Sequence, residues 1–286
     1  MKSSLPSWFS QKPADPKIML TMERLLDGLR LHTICESALC PNIGECFSSK
    51  TATFLILGDV CTRHCTFCAV RKGLPAPVDE QEPQRLLKAV ESLGLSYVVI
   101  TSVTRDDLPD GGACQFAKTI TMLRENRKGA IIEVLIPDFL GSTRAIEMLV
   151  EARPQVINHN IETIPRLYPE VRPEADYNRS IELLYMVKRL KPEIVTKSGL
   201  MLGLGETKKE VIEVMNDLRE ANCDLLTIGQ YLQPSPSHHP VARFVTPEEF
   251  SEYEQIGKDL GFIAVTSAPL VRSSFNAAEL YTKAKG

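Results

Sequence analysis

From Thr53 onward the chain alternates two hydrophobic rhythms. Short aliphatic and β-branched runs predict strands at Thr53–Leu57, Tyr97–Ser102, Ala130–Ile136, Val156–Asn158, Ile194–Met201, Asp224–Ile228 and Phe262–Thr266. Between them, apolar stripes at three- and four-residue spacing predict helices: Leu86/Leu87/Val90/Leu93, Phe116/Ile120/Leu123, Ala145/Ile146/Leu149, Ile181/Leu184/Val187, Val211/Met215/Leu218 and Phe250/Tyr253/Leu260. Thr207 with Glu210 and Thr246 with Glu249 read as capping boxes, the second with Pro247 at the first helical turn. Repeated strand-then-helix units imply a parallel sheet with right-handed crossovers. Six such units are too few for a closed eightfold barrel, so the predicted fold is α/β, an open, partial parallel β/α barrel.

In parallel barrels the chemistry gathers at the C-terminal ends of the strands. The polar groups expected at that rim are Thr101-Ser102 with Arg105-Asp106-Asp107, Asn158-His159-Asn160 with Glu162, Lys197-Ser198, and Gln230. Capping a turn or closing a salt bridge accounts for any one of them equally well. Their repeated position at one rim is what sets them apart.

Ahead of the barrel, Met1 to Pro16 reads as an extended arm in which Trp8-Phe9 packs, followed by a helix from Met19 to Leu31. Two cysteine triplets come next. Cys35, Cys40 and Cys46 are spaced C-x4-C-x5-C, with Pro41 and Gly44 able to turn the chain. Cys61, Cys65 and Cys68 are spaced C-x3-C-x2-C just past the first strand, and so fall in the barrel mouth. Thiolates favour soft metals. A 4Fe–4S cluster usually takes four of them, so three local thiolates leave one iron open to a substrate or cosubstrate. Zinc is the alternative, but it normally shows paired C-x2-C knuckles, and His64 inside the triplet is badly placed to fold back on the same metal. Buried structural cysteines explain one triplet well and two poorly. Cys114 and Cys223 are expected to be packing residues, and His238-His239 to lie in an exposed, proline-stiffened loop. Gly203 and Gly205 fit no phosphate-binding fingerprint.

Composition narrows the setting. The 286 residues, 43% hydrophobic and 24% charged with a formal net charge of -3, suit a soluble globular protein and make no overall electrostatic case for nucleic acid. Met1 to Leu20 lacks a signal-type apolar core, and no run is long enough to cross a bilayer. A cytoplasmic, reducing compartment is therefore expected, where eight cysteines favour thiolate chemistry over disulfides.

The Cys61/Cys65/Cys68 loop, with Phe67 before its last cysteine, resembles that of the radical S-adenosylmethionine superfamily. Adding the upstream triplet and the tail Val271-Arg272-Ser273-Ser274, the chain is similar to the lipoyl synthases from about Leu31 to Ala278, including Asp106 to Ala113 and His159 to Thr163. One departure is visible: that family commonly has Tyr-His after the serines, where this chain has Phe275-Asn276.

The resemblance implies three parts: residues 1–50 carrying the auxiliary-cluster cysteines, 51–266 forming the barrel, and 267–286 as a tail bearing a serine ligand. It implies two 4Fe–4S clusters, one on Cys61, Cys65 and Cys68, the other on Cys35, Cys40, Cys46 and Ser274, with Ser273 less favoured. An oxygen ligand is harder than a thiolate and dissociates more readily from a soft site, which suits a cluster to be dismantled. S-adenosylmethionine contacts are implied at Phe67, Thr101, Arg105, Asn160, Glu162, Lys197 and Gln230. The implied reaction uses a 5′-deoxyadenosyl radical to take hydrogen from C6 and C8 of an octanoyl chain, with sulfur supplied by the auxiliary cluster. The implied partners are an octanoylated lipoyl carrier domain or glycine-cleavage H protein and a ferredoxin- or flavodoxin-type electron donor, with neither nucleic acid nor membrane. The alternatives are another sulfur-inserting radical enzyme resembling biotin synthase, or a non-catalytic iron–sulfur or zinc protein.

Overall fold

The computed structural model describes residues 5–10 and 14–285. Of the expected N-terminal arm, Met1 to Ser4 and Gln11 to Pro13 lie outside the described residues. Phe9 is buried in a single helical turn, its ring 5.6 Å from Phe244. Helix α1 (Pro16–Gly28) begins before the predicted Met19, because Asp15 caps it through the Lys17 amide and Pro16 takes the first helical position. It leads into β1 (His32–Thr33), α2 (Ile34–Ser37) and α3 (Ile43–Ser48), the segment that holds the first cysteine triplet.

The barrel begins at β2 (Thr53–Ile56), all four residues of which are buried. A two-stranded ribbon, β3 (Val60–Cys61) and β4 (Arg71–Lys72), brackets the second triplet. Then follow α4 (Glu82–Leu93), β5 (Tyr97–Ser102), α5 (Ala113–Asn126), β6 (Ile131–Leu135), α6 (Thr143–Ala152) and β7 (Val156–Asn158). The second half adds α7 (Tyr168–Val171), α8 (Tyr177–Leu190), β8 (Val195–Leu202), α9 (Lys208–Glu220), β9 (Leu225–Gln230), α10 (Pro247–Asp259) and β10 (Ala264–Ser267). Both predicted capping boxes form, at Thr207/Glu210 and Thr246/Glu249.

The main sheet has the order β1-β2-β5-β6-β7-β8-β9-β10, parallel throughout except where β1 meets β2. Among the described residues β10 pairs only with β9, so the barrel stays open. Every predicted strand and helix of the repeat is present, the strands shifted by a residue or two at their ends.

After β10 the chain folds back along the inner face of the sheet. The Gln230 amide donates to the Pro269 carbonyl at 3.2 Å. Two glycines make room for this tail: a β-carbon on Gly229 would lie 2.0 Å from the Val271 carbonyl oxygen, and one on Gly199 2.6 Å from Ser273 Oγ. The chain then forms α11 (Ala277–Lys285), which was not predicted. Leu280 packs with Val156, Val195, Leu225 and Ala264, the first residues of β7, β8, β9 and β10, so α11 covers the floor of the barrel. Its Tyr281 meets Tyr97 edge-on at 5.9 Å.

Gly229→Ala should therefore unseat the tail, at about 1–3 kcal/mol for overpacking a filled site. A lower melting temperature and faster tryptic cleavage after Arg272 are expected. Unchanged values for both would mean that the tail does not rest on β9.

Candidate active site

At the C-terminal ends of the strands lies a cavity of about 510 Å³. All six triplet cysteines line it, as do Arg272, Ser273 and Ser274 from the tail. Thr33 caps α2 through the Glu36 amide and fixes the helix on which Cys35 is buried. Cys40 follows a turn at Leu39, whose φ is +52°, and Cys46 sits on α3. Cys61 ends β3, and the loop carrying Cys65 and Cys68 is tied down by Lys72, whose Nζ donates to the Cys65 carbonyl at 2.9 Å.

All eight cysteines are free thiols. Burial pushes Cys35 up to about 11 and Cys46 and Cys68 to about 12, and neighbouring thiols of the same triplet add to each rise. Cys65 moves the same way by burial, against the opposing charge of Arg172. The mutual effect means that each triplet is gathered closely enough for its charges to interact. Yet no three His, Cys, Asp or Glu side chains among the described residues converge on one ion.

Arg63, missed in the sequence, anchors the second triplet's loop. It is buried and donates from Nε to Asp106 at 2.6 Å, and from Nη2 to Asp106 at 3.0 Å and Asp138 at 2.6 Å. Burial acts to raise the Asp138 carboxyl, but Arg63 outweighs it and holds the group at about 2. The loops after β5 and β6 are thereby clamped to the cysteine loop. Its position inside a metal-type motif was the available signal.

The expected S-adenosylmethionine contacts separate into two sets. Phe67, Thr101, Asn160, Glu162 and Gln230 line the cavity. Asn160 is a junction: its Nδ2 donates to Glu162 Oε1 at 3.0 Å, and its Oδ1 accepts from Ser273 Oγ at 2.7 Å. Thr101 Oγ1 donates to the Leu135 carbonyl, and the Gln230 amide is spent on the Tyr231 and Arg243 carbonyls and the Val245 N–H. Arg105 and Lys197 are not brought to the cavity. Arg105 is taken up by Asp107 and the Leu57 carbonyl. Lys197 is fully buried against Glu133 at 2.9 Å, and that carboxylate also accepts from Asn158 and Tyr97.

Three further side chains face the same space. Arg172 donates to the Asn160 and Ile161 carbonyls. Arg272 is burdened by burial, which lowers its affinity for a proton, while Cys40 and Glu162 pull the other way. His159 is buried with Nδ1 2.8 Å from the Ile136 carbonyl, which can only accept, so Nδ1 carries the hydrogen. Burial and then Arg172 lower this imidazole to about 4, and Nε2 has no partner among the described residues. Ser102 Oγ, also on the cavity wall, is likewise unpartnered.

Outside the cavity, His64 is exposed and meets Glu174 at 2.9 Å, in keeping with the expectation that it does not fold back. Two expectations are corrected. His239 is buried rather than exposed, because its carbonyl accepts from Tyr231 Oη at 2.6 Å and draws it under the loop. Cys114 is exposed, since the first turn of α5 points it outward, whereas Cys223 is buried as expected.

The Radical SAM superfamily profile matches residues 55–218, more than half of the chain. A lipoyl synthase from Caldanaerobacter subterraneus subsp. tengcongensis is 60% identical over 93% of this chain and 93% of its own length. The lipoyl synthase of Aquifex aeolicus is 56% identical over 90% of this chain and 94% of its own. The chain belongs to the lipoyl synthase family. Among solved structures, the FeFe-hydrogenase maturase HydG has a TM-score of 0.56 at 13% identity, covering 85% of this chain and 61% of its own. Streptococcus suis SuiB bound to S-adenosylmethionine also scores 0.56, at 12% identity, covering 77% and 50%. These likenesses show a shared fold.

Lipoyl synthases are radical enzymes whose cofactors are 4Fe–4S clusters and S-adenosylmethionine. The residues present fit such groups. Each triplet offers soft donors that crowd one another as bare thiols, and a cationic iron centre supplies the charge that favours thiolate. The unpartnered His159 and Ser102 atoms leave polar capacity in the cavity for a bound molecule. Among the described residues no helix is long and apolar enough to cross a membrane.

Two outcomes follow for the polar groups. Lys197→Met leaves Glu133 buried without its cation, which costs about 3–5 kcal/mol; a clear fall in the urea midpoint is expected, and an unchanged midpoint would refute the ion pair. His159 titrates near 4 folded against 6.5 ordinarily, so its contribution is intact above 6.5 and is lost as pH falls toward 4. His159→Asn should flatten the loss of thermal stability across that window, measured by melting at successive pH values, and should leave it unchanged above 7.

Proposed function

We propose that this chain inserts two sulfur atoms, at C6 and C8 of an octanoyl chain carried on a protein lysine. The observation that carries the reading is the sharing of one cavity by both cysteine triplets and the tail serines. Cys61, Cys65 and Cys68 hold one cluster and leave its fourth iron for S-adenosylmethionine. Cys35, Cys40 and Cys46 hold the other. Ser274 is its fourth ligand, because the Ser273 hydroxyl is engaged by Asn160. When bound, these groups supply a 5′-deoxyadenosyl radical at one end of the cavity and sulfide at the other.

The protein's part is to hold and to exclude. Phe67, Thr101, Asn160, Glu162 and Gln230 form the wall where S-adenosylmethionine is held. Burial raises the Glu162 carboxyl, and Arg172, the Asn160 amide and Arg272 oppose that rise only in part. Arg63 keeps the cysteine loop in one place relative to the substrate. A radical of this reactivity requires a near-attack distance and a dry surrounding, which the tail and the α2–α3 segment supply above the barrel. Residues 1–50, 51–266 and 267–286 divide these tasks between auxiliary site, radical site and closing tail. The partners are an octanoylated carrier, either a lipoyl domain or a glycine-cleavage H protein, and a ferredoxin- or flavodoxin-type donor in a reducing compartment.

The test is anaerobic turnover with dithionite, S-adenosylmethionine and an octanoyl-lysine peptide. Expected are about eight iron and eight sulfide per chain, 5′-deoxyadenosine, and a peptide heavier by two sulfur atoms as the dithiol, which loses two hydrogens only on later oxidation to the disulfide. Ser274→Ala should retain nucleoside formation and lose sulfur insertion at least about tenfold, the effect of one strong ligand or hydrogen bond. Nucleoside without any sulfur product from the unmodified protein would leave a radical enzyme of another specificity.

A further inference from the structure

We infer that Asn42 is a positioning residue that holds the tail so that Ser274 reaches the auxiliary site, an inference that rests on the assignment of Ser274 above. Asn42 lies between Cys40 and Cys46 and is 1% exposed. Its Nδ2 donates to the Leu270 carbonyl at 2.7 Å, across 228 residues of sequence. The loop that carries the auxiliary thiols is thereby bonded directly to the tail.

The tail's own geometry makes this bond consequential for Ser274. The Val271 amide donates to the Ala268 carbonyl and the Phe275 amide to the Arg272 carbonyl at 3.0 Å, so Ser274 sits inside the turn from Arg272 to Phe275. Among the described residues, two side-chain bonds join the segment around that turn to other elements. One is Asn42 to Leu270 on its N-terminal side; the other is Ser273 to Asn160, which belongs to the barrel. Only the first refers the serine to the thiols that share its cluster. A serine oxygen is a hard donor at a soft centre, and its occupancy is therefore set by placement more than by intrinsic affinity. Breaking the Asn42 bond leaves the half-buried Leu270 carbonyl without this donor and loosens the hold on the turn.

The experiment uses the full chain with Asn42→Leu, which keeps the volume and removes the donor, and Asn42→Gln, which keeps the donor. In metal-free protein, amide hydrogen exchange of residues 268–276 is compared. In protein whose Cys61, Cys65 and Cys68 are replaced by alanine, so that only the auxiliary site is loaded, the rate of iron loss to a chelator is compared with that of Ser274→Ala. Expected for Asn42→Leu are faster exchange in the tail and iron loss about tenfold faster, the effect of one buried hydrogen bond. Asn42→Gln should lie nearer the unmodified chain, and Asn42→Leu combined with Ser274→Ala should lose iron no faster than Ser274→Ala alone. Additive loss in the double variant would place Asn42's effect on the cysteines instead and overturn the proposal, as would unchanged exchange and iron loss. If Ser274→Ala itself retains iron normally, the serine assignment and this proposal fail together. If the unmodified auxiliary site takes up no iron, the underlying function reading fails, and the exchange data still report whether Asn42 latches the tail. Should Asn42→Leu not fold, Asn42→Ala is read by the same two measurements.

Discussion

Bare backbone on the inner face of β8 and β9 is the constraint on which the architecture turns. With side chains at Gly199 and Gly229, the lumen would have no room for a returning strand of peptide. Without that return, the Arg272-Ser273-Ser274 segment would have no route to the cavity, and α11 no approach to the floor. The α2–α3 segment and the returning tail both reach the mouth because β8 and β9 leave room for the tail. The barrel thus serves as a scaffold that brings these two segments together.

The polar interior divides along the barrel axis. Inside the barrel the Glu133 carboxylate accepts from Lys197, Asn158 and Tyr97, and of these four side chains one Asn158 oxygen is without a partner among the described residues. At the mouth, crowded thiols and an imidazole nitrogen with no partner among the described residues leave capacity unspent, beside the half-buried Arg172 and Arg272. Buried polar groups normally find partners, so this contrast separates the structural half of the barrel from the half that awaits company. Loading of metal on thiols whose protons burial holds so firmly must release those protons, which makes assembly favour higher pH.

The alternation of rhythms made the barrel legible, since strand and helix periods differ and each repeat reinforces the next. The cysteine triplets were legible for a different reason: their spacing restricts what they can bind. Depth was not legible. Lys197, expected at the rim, lies third in the eight residues of β8 and points into the layer of Glu133, whereas Asn160 lies past the end of β7 and reaches the cavity. Arg63 and Asn42 act through partners on distant segments, and no local pattern encodes that. Helix α11 did carry a signal, with Ala277, Leu280, Tyr281 and Ala284 at helical spacing, but two of the four are alanines and the stripe is faint. His239 was drawn inward by a bond from Tyr231, a contact that a proline-rich loop gives no hint of.

The threading of the tail also bears on how the molecule is made. Both triplets precede β5 to β10 in the chain, whereas the Arg272-Ser273-Ser274 segment follows β10, so it can rest against Gly199 and Gly229 only once β8 and β9 are in place. Seating of the tail is therefore a late folding event, coupled to the docking of α11 beneath the strands.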